Sequence, residues 1–153
     1  MGTKTSSTIK RSVFTSPAEV EQSFYEALRE ADLDKLMQTW ADDEDIVCIH
    51  PNGERLVGSL AIQASWKEIL AKGPLSIEAR IPVIFHHGMI VVHTILERHY
   101  FATSMGQKEM LCHVTNIFQK SRSGWYLILH HASLAPPDTI LDERHPATSM
   151  LLH

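Results

Sequence analysis

Cysteine is scarce in this chain. Cys48 and Cys112 are the only two in 153 residues, and no CxxC spacing joins them. Neither a disulfide framework nor a thiolate zinc ribbon can be built from them. Both sit in apolar strand contexts, so buried free thiols of a reducing compartment are expected, with one disulfide as the alternative. Long apolar runs are missing too. None reaches the roughly 18 residues of a membrane span, and no continuous apolar segment of a secretory signal opens the chain. A cytoplasmic location without membrane contact is the expectation. Positive charge is in deficit, with 14 Lys and Arg against 18 Asp and Glu, net −4. No basic stripe is left to neutralise phosphates, which excludes nucleic acid as a partner. P-loop, dinucleotide fingerprint, nucleophile elbow and HExxH are all lacking, so no cofactor is expected. The ten histidines show no metal-ligand spacing, and no metal is expected either.

What is present is a clear order of parts. Residues 1–15 are rich in Ser, Thr and Lys without a period and read as a flexible leader. Ser16-Pro17-Ala18-Glu19 is a capping box with proline at the first helical position. Val20, Phe24, Ala27, Leu28 and Ala31 follow as one apolar helical stripe. Asp32 caps a short second helix carrying Leu33, Leu36, Met37 and Trp40. Ile46–Ile49 reads as a short strand, ending at His50-Pro51 and turning at Asn52-Gly53. From Gly58 or Ser59 a third helix carries Ile62, Trp66, Ile69 and Leu70, and it stops at Gly73-Pro74. Strand grammar then takes over: Leu75–Phe85, with Pro82 demanding a bulge or an edge, then Met89–Phe101, Gln107–Lys120 and Trp125–Leu134. Pro136-Pro137 closes the domain, assigned to 16–136, and 137–153 forms a tail.

Helices followed by a meander of strands predict an α+β fold, with three N-terminal helices packed on a curved, mainly antiparallel sheet. Ile90-Val91-Val92, Ile117-Phe118 and Leu127-Ile128-Leu129 are apolar at both strand parities, so both sheet faces are expected to be covered. No helix follows the strands. A second copy is therefore predicted, giving a homodimer through the outer sheet face.

The helix ending in Ala31-Asp32-Leu33-Asp34, then Trp40-Ala41-Asp42-Asp43, the strand ending at His50-Pro51 and Gly58 before a helix together resemble the SnoaL-like, ketosteroid-isomerase-like superfamily. Its cystatin-like cone is shared by nuclear transport factor 2. Thr115-Asn116-Ile117-Phe118, Gly124-Trp125 and His130-His131-Ala132-Ser133 are also similar to the association domain of calcium/calmodulin-dependent kinases. The resemblance spans Ser16 to Pro136 and is specific for fold rather than activity.

Carried over residue by residue, it places His50 where the isomerases hold their general base. Phe24 falls where they hold an oxyanion-hole tyrosine, with Tyr25 one step, about 100°, round the helix and out of the pocket. That departure removes a donor that ketosteroid isomerisation needs. The kinase-domain likeness puts Asn116 and His131 inside the cone. Alternation then adds Cys112, Val114 and Phe118 beside Asn116, and Trp125, Leu127, Leu129 and Ser133 beside His131, with His130 turned to the dimer face.

The resulting expectation is a cone that binds a small apolar molecule. Its enzymatic form is a cofactor-free isomerase, cyclase or lyase moving a proton with His50 and His131, assisted by Asn116. The alternative is a non-catalytic ligand-binding or scaffold homodimer. Phe24, Val114, Phe118 and Leu129, with Trp40, Trp66 and Trp125 as cavity wall or core, are the expected ligand contacts. Asp42–Asp45 reads as a solvated corner. Glu97, Arg98 and His99 read as cross-strand surface pairs.

Overall fold

The Ser16 side chain accepts from the Glu19 N–H at 3.2 Å, and the Glu19 carboxylate accepts from the Thr15 N–H at 2.8 Å. One orphan donor of the helix start is thus satisfied and the chain before the cap is tied back to the first turn, and α1 (Pro17–Glu30) follows. It buries Val20, Phe24, Tyr25, Ala27 and Leu28 and ends at Ala31, in the left-handed region at φ 53°. Asp32 accepts from the Lys35 N–H at 3.0 Å and starts α2 (Leu33–Thr39). The third helix, α3 (Ser59–Leu70), opens after Gly58 and buries Ile62, Trp66 and Leu70. This computed structural model describes residues 11–136, 138 and 139. Expectations for the leader before residue 11 and for the tail at 137 and from 140 onward lie outside the described residues.

Six strands form one sheet: β1 (Val47–Ile49), β2 (Arg55–Val57), β3 (Ser76–His87), β4 (Ile90–Thr103), β5 (Gly106–Ser121) and β6 (Gly124–Leu134). Their order is β2-β1-β6-β5-β4-β3, antiparallel throughout except that β1 runs parallel to β6. The fold is α+β, three helices on a curved, mainly antiparallel sheet, as the sequence predicts. The strand β2 is an addition, a three-residue partner for β1 hidden between two glycines. Pro82 lies on the edge strand β3, where the register also slips between Arg80 and Val83. A residue without an N–H fits such a place and no central one.

One irregularity corrects the expected facing of β6. Ile117 opposes Leu129, yet Phe118 opposes Leu127, so Ile128 is an extra residue on β6. Such a β-bulge reverses inside and outside for everything beyond it. Leu127, before the bulge, is buried at 1% exposure, as alternation predicts. After it, His130 and Ala132 are buried, whereas His131 and Ser133 are exposed. Leu129 opposes Ile117 on the outer face and is half-buried. His131, Leu129 and Ser133 therefore do not point into the cone, and His130 does.

Residues 11–15, read from sequence as leader, pack against the body. Phe14 is buried, sets its ring edge-on to Tyr126 and accepts the Trp125 N–H at 2.9 Å. The Arg11 guanidinium lies 4.6 Å from the Tyr126 ring centre and donates to the Trp40 carbonyl. Gly124 makes this docking possible. Its φ is 114°, and a Cβ there would stand 2.5 Å from the Phe14 oxygen. Gly124→Ala should thus cost about 1–3 kcal/mol in urea unfolding through strain and loss of the docked segment. An unchanged midpoint would mean that the segment contributes nothing to stability.

Candidate active site

The inner face of the sheet carries a polar row. Along one register line lie His93 on β4, Asn116 on β5, His130 on β6 and Cys48 on β1, all buried. The row is wired together. His130 Nδ1 is 2.6 Å from Asn116 Oδ1, Asn116 Nδ2 donates to Glu21 Oε2 at 3.2 Å, and His93 Nδ1 lies 2.9 Å from the same oxygen. A carboxylate only accepts, so the amide nitrogen of Asn116 must face Glu21 and its oxygen must face His130. That oxygen also only accepts. His130 therefore carries its proton on Nδ1 and presents a lone pair at Nε2.

His50 follows β1 directly and shares the inward parity of Cys48. Its carbonyl accepts the Gly53 N–H at 2.8 Å, closing a turn with Pro51 and Asn52 at the centre. Asn52 has φ 56°, as the third residue of such a turn requires. The backbone of His50 is pinned from both sides. Its Nε2 lies 2.8 Å from Ser65 Oγ on α3, and its ring stands edge-on to Trp66 at 4.7 Å. Trp66 also meets His130, at 6.2 Å, and Phe24 meets both Trp66 and His130, at 5.8 and 5.0 Å. The Trp66 indole N–H is buried without a hydrogen-bond acceptor among the described residues. Burial lowers the pKa of His50, against the pull of Glu97. His130 is pushed down to about 4 by its burial, with Glu97 opposing and His50 adding to the shift. Both rings are neutral at pH 7.

Further along β4 lies the group that the sequence reading missed. Glu97 shares the inward parity of Val91, His93 and Ile95 and is 2% exposed. It is a core carboxylate, not a surface pair. Tyr25 donates to its Oε2 at 2.6 Å, and His99 Nε2 lies 2.9 Å from its Oε1. Tyr25, expected to turn away from the pocket, is buried too, because α1 buries both Phe24 and Tyr25. Burial and the Glu97 charge raise the Tyr25 pKa well above 10, so the phenol remains a donor. Burial alone would raise the pKa of Glu97. The His99 hydrogen bond, nearby His130 and the Tyr25 hydroxyl reverse this, and the carboxyl titrates below its ordinary value. The two thiols are free and buried; burial pushes Cys48 to about 12 and Cys112 to about 11, which makes them unreactive.

Of the other expected contacts, Phe24, Trp40, Trp66, Val114 and Phe118 are buried in the core, and Trp125 packs half-buried against it. Asp42–Asp45 is exposed, and no metal-holding cluster occurs among the described residues. No helix among them is long and apolar enough to cross a membrane.

Residues 18–137 match the SnoaL-like domain. No curated protein matches the sequence. Among solved structures, a candidate calcium/calmodulin-dependent protein kinase type II association domain from Thiobacillus denitrificans is 29% identical. It aligns over 82% of this chain and 99% of its own, with a TM-score of 0.72. A candidate dehydratase of the NTF2-like family from Streptomyces avermitilis is 23% identical over 78% of this chain and 93% of its own, TM-score 0.71. The CaMKII hub of S. rosetta is 21% identical over 80% and 100%, TM-score 0.65. The last two likenesses, being so distant in sequence, speak for the fold alone.

Proposed function

Because the chain belongs to the SnoaL-like domain family, we propose that it is a small-molecule-binding protein whose cone performs cofactor-free proton transfer on an apolar substrate. The observation that carries this reading is the meeting of two neutral imidazoles, His50 and His130, on Trp66. His50 is the base. It is partly open to solvent, held by Ser65, and its pKa is less depressed than that of the fully enclosed His130. His130, with its lone pair fixed by Asn116 and Glu21, accepts a hydrogen bond from the substrate and orients it. Phe24, Trp66, Val114 and Phe118 supply the apolar wall. The role first assigned to His131 passes to its neighbour, since the ring at 131 faces outward. Tyr25 already donates to Glu97, which leaves its hydroxyl committed and argues against ketosteroid isomerisation.

A neutral carbon acid tests the reading. With 5-nitrobenzisoxazole the base removes the ring C–H proton, the N–O bond breaks, and a coloured phenolate leaves. Turnover above buffer that disappears in His50→Ala supports the assignment. Equal turnover in the variant removes His50 from the mechanism.

The association-domain likeness supports the second element, a homodimer through the outer sheet face, and a cytoplasmic location is proposed with it. Val92, Ile117 and Leu129 are half-buried there, and Phe85 on β3, opposite Val92, is exposed at 46%. Sedimentation at micromolar concentration should give twice the 17.3 kDa chain mass; a monomer would contradict it and leave that face without its cover. Were the protein a scaffold without catalysis, the dimer would persist and the probe would go unconverted.

A further inference from the structure

Strand register lays out the outer face of the sheet in rows. One row is apolar across all six strands: Phe85 on β3, Val92 on β4, Ile117 on β5, Leu129 on β6, Val47 on β1 and Val57 on β2. The next row carries Thr94, Thr115, His131 and Arg55, and the one after it Arg80, His113 and Ser133. His113 and His131 are both exposed. Two residues along a strand span about 7 Å, so His131 stands about 7 Å from Leu129 and His113 about 13 Å from Ile117. A dimer interface of ordinary size covers about 800 Å² of each partner, a disc of about 16 Å radius. Centred on the apolar row, such a disc takes in both imidazoles. The charged groups around them are unfavourable to a further proton. Arg55 on β2 and Arg80 on β3 share their rows, and His87 lies beyond the apolar row at the end of β3. The carboxylates bordering these rows are Glu54, just before Arg55, and Glu78 and Glu109, bonded to Arg80 and Arg98 at 2.6 and 2.8 Å. Directly across the strands His131 faces Thr115 and Ile49, and His113 faces Leu96 and Ser133.

We propose that the homodimer opens in mild acid, His113 and His131 being enclosed uncharged at neutral pH and driving the copies apart once they take up protons. The proposal rests on the dimer reading above. Histidine is the side chain whose charge changes between pH 5 and 8. An isologous interface presents the same patch from both copies, so each imidazole pair meets its own kind across the contact. A cation enclosed there without a carboxylate partner pays for the water it loses. It also meets like charge where screening is weak, from Arg55, Arg80 and the partner's copies of the same groups. Separated subunits bind more protons than the pair for this reason, and falling pH favours separation. The hydroxyls of Thr94, Thr115 and Ser133 hydrogen-bond a neutral ring but supply no counter-charge to a protonated one.

Sedimentation of the full chain over a concentration series at pH 7.5 and pH 5.5 decides it. Near-ultraviolet circular dichroism on the same samples shows that the subunits stay folded. The wild-type dimer Kd should rise at least about tenfold on acidification. The double variant His113→Gln with His131→Gln keeps polar side chains that cannot titrate, and its Kd should be nearly independent of pH over the same step. A wild-type Kd that does not move, or a double variant that weakens as much as the wild type, overturns the proposal. The wild-type comparison stands without the variant, should the latter fail to fold. A wild-type dimer equally tight at both pH values removes the acid response and leaves the dimer reading in place. A monomer already at pH 7.5 removes both.

Discussion

Between pH 7 and pH 4 the fold should lose about 3 kcal/mol through His130 alone. In the unfolded chain this imidazole takes a proton near its ordinary pKa of about 6.5, whereas in the fold its burial holds the pKa at about 4. Across that interval the unfolded state binds more protons, so stability falls as the pH falls. The contribution is complete above about 6.5 and gone below the folded value, where both states are protonated. Glu97 acts in a lower window: its depressed pKa gives stability above the ordinary carboxylate value of about 4.5, lost only on further acidification. His130→Gln keeps a donor for Asn116 and cannot titrate. Urea unfolding of both proteins across pH 4–7.5 should show the wild type falling more steeply, and parallel curves would contradict the enclosed, neutral imidazole. The chemistry of Asn116 supplies the reason for the steepness. Its oxygen already receives the Nδ1 proton, so a second proton on the ring would sit on Nε2 in the apolar neighbourhood of Phe24 and Trp66.

The second large effect concerns rate. General-base catalysis by a positioned side chain contributes about 10²- to 10⁴-fold, so His50→Ala should slow 5-nitrobenzisoxazole turnover by at least about 100-fold. The working form is the neutral ring. The wild-type rate should therefore rise with pH along a limb centred below the ordinary histidine value, since burial depresses the pKa of His50, and be flat through neutrality. His131→Ala should have neither effect, because that side chain is exposed on the opposite face. A large loss at 131 with none at 50 would reverse the assignment. Stability need not change much in His50→Ala, for the turn it occupies is held by backbone and by Pro51.

The helices were legible because their signals are local. Ser16-Pro17, Asp32 and Gly58-Ser59 mark their starts where the structure has them. The four long strands and the position of His50 at the end of a short one followed from the same kind of reading together with a resemblance. The interior of the site was hidden for two physical reasons. Three consecutive apolar residues, Leu127-Ile128-Leu129, conceal a bulge, because each of them suits either face. The likeness put His131 inside, and counting by twos from it back to Trp125 passes over the extra residue unnoticed. Glu97 was hidden because charge reads as surface. The available clue was parity, since Glu97 falls in step with Val91 and Ile95, both buried. Tyr25 went unread because one apolar residue, Phe24, already filled the expected position; a helix face about 100° wide accommodates both.

The extra residue in β6 has a consequence for the two adjacent imidazoles. With Ile128 as the added residue, the ring at 130 faces inward. Were the irregularity to migrate past 131, strict alternation would turn that ring in instead, beside the same asparagine strand. One added residue thus decides which of two neighbouring imidazoles meets Asn116 and which meets solvent.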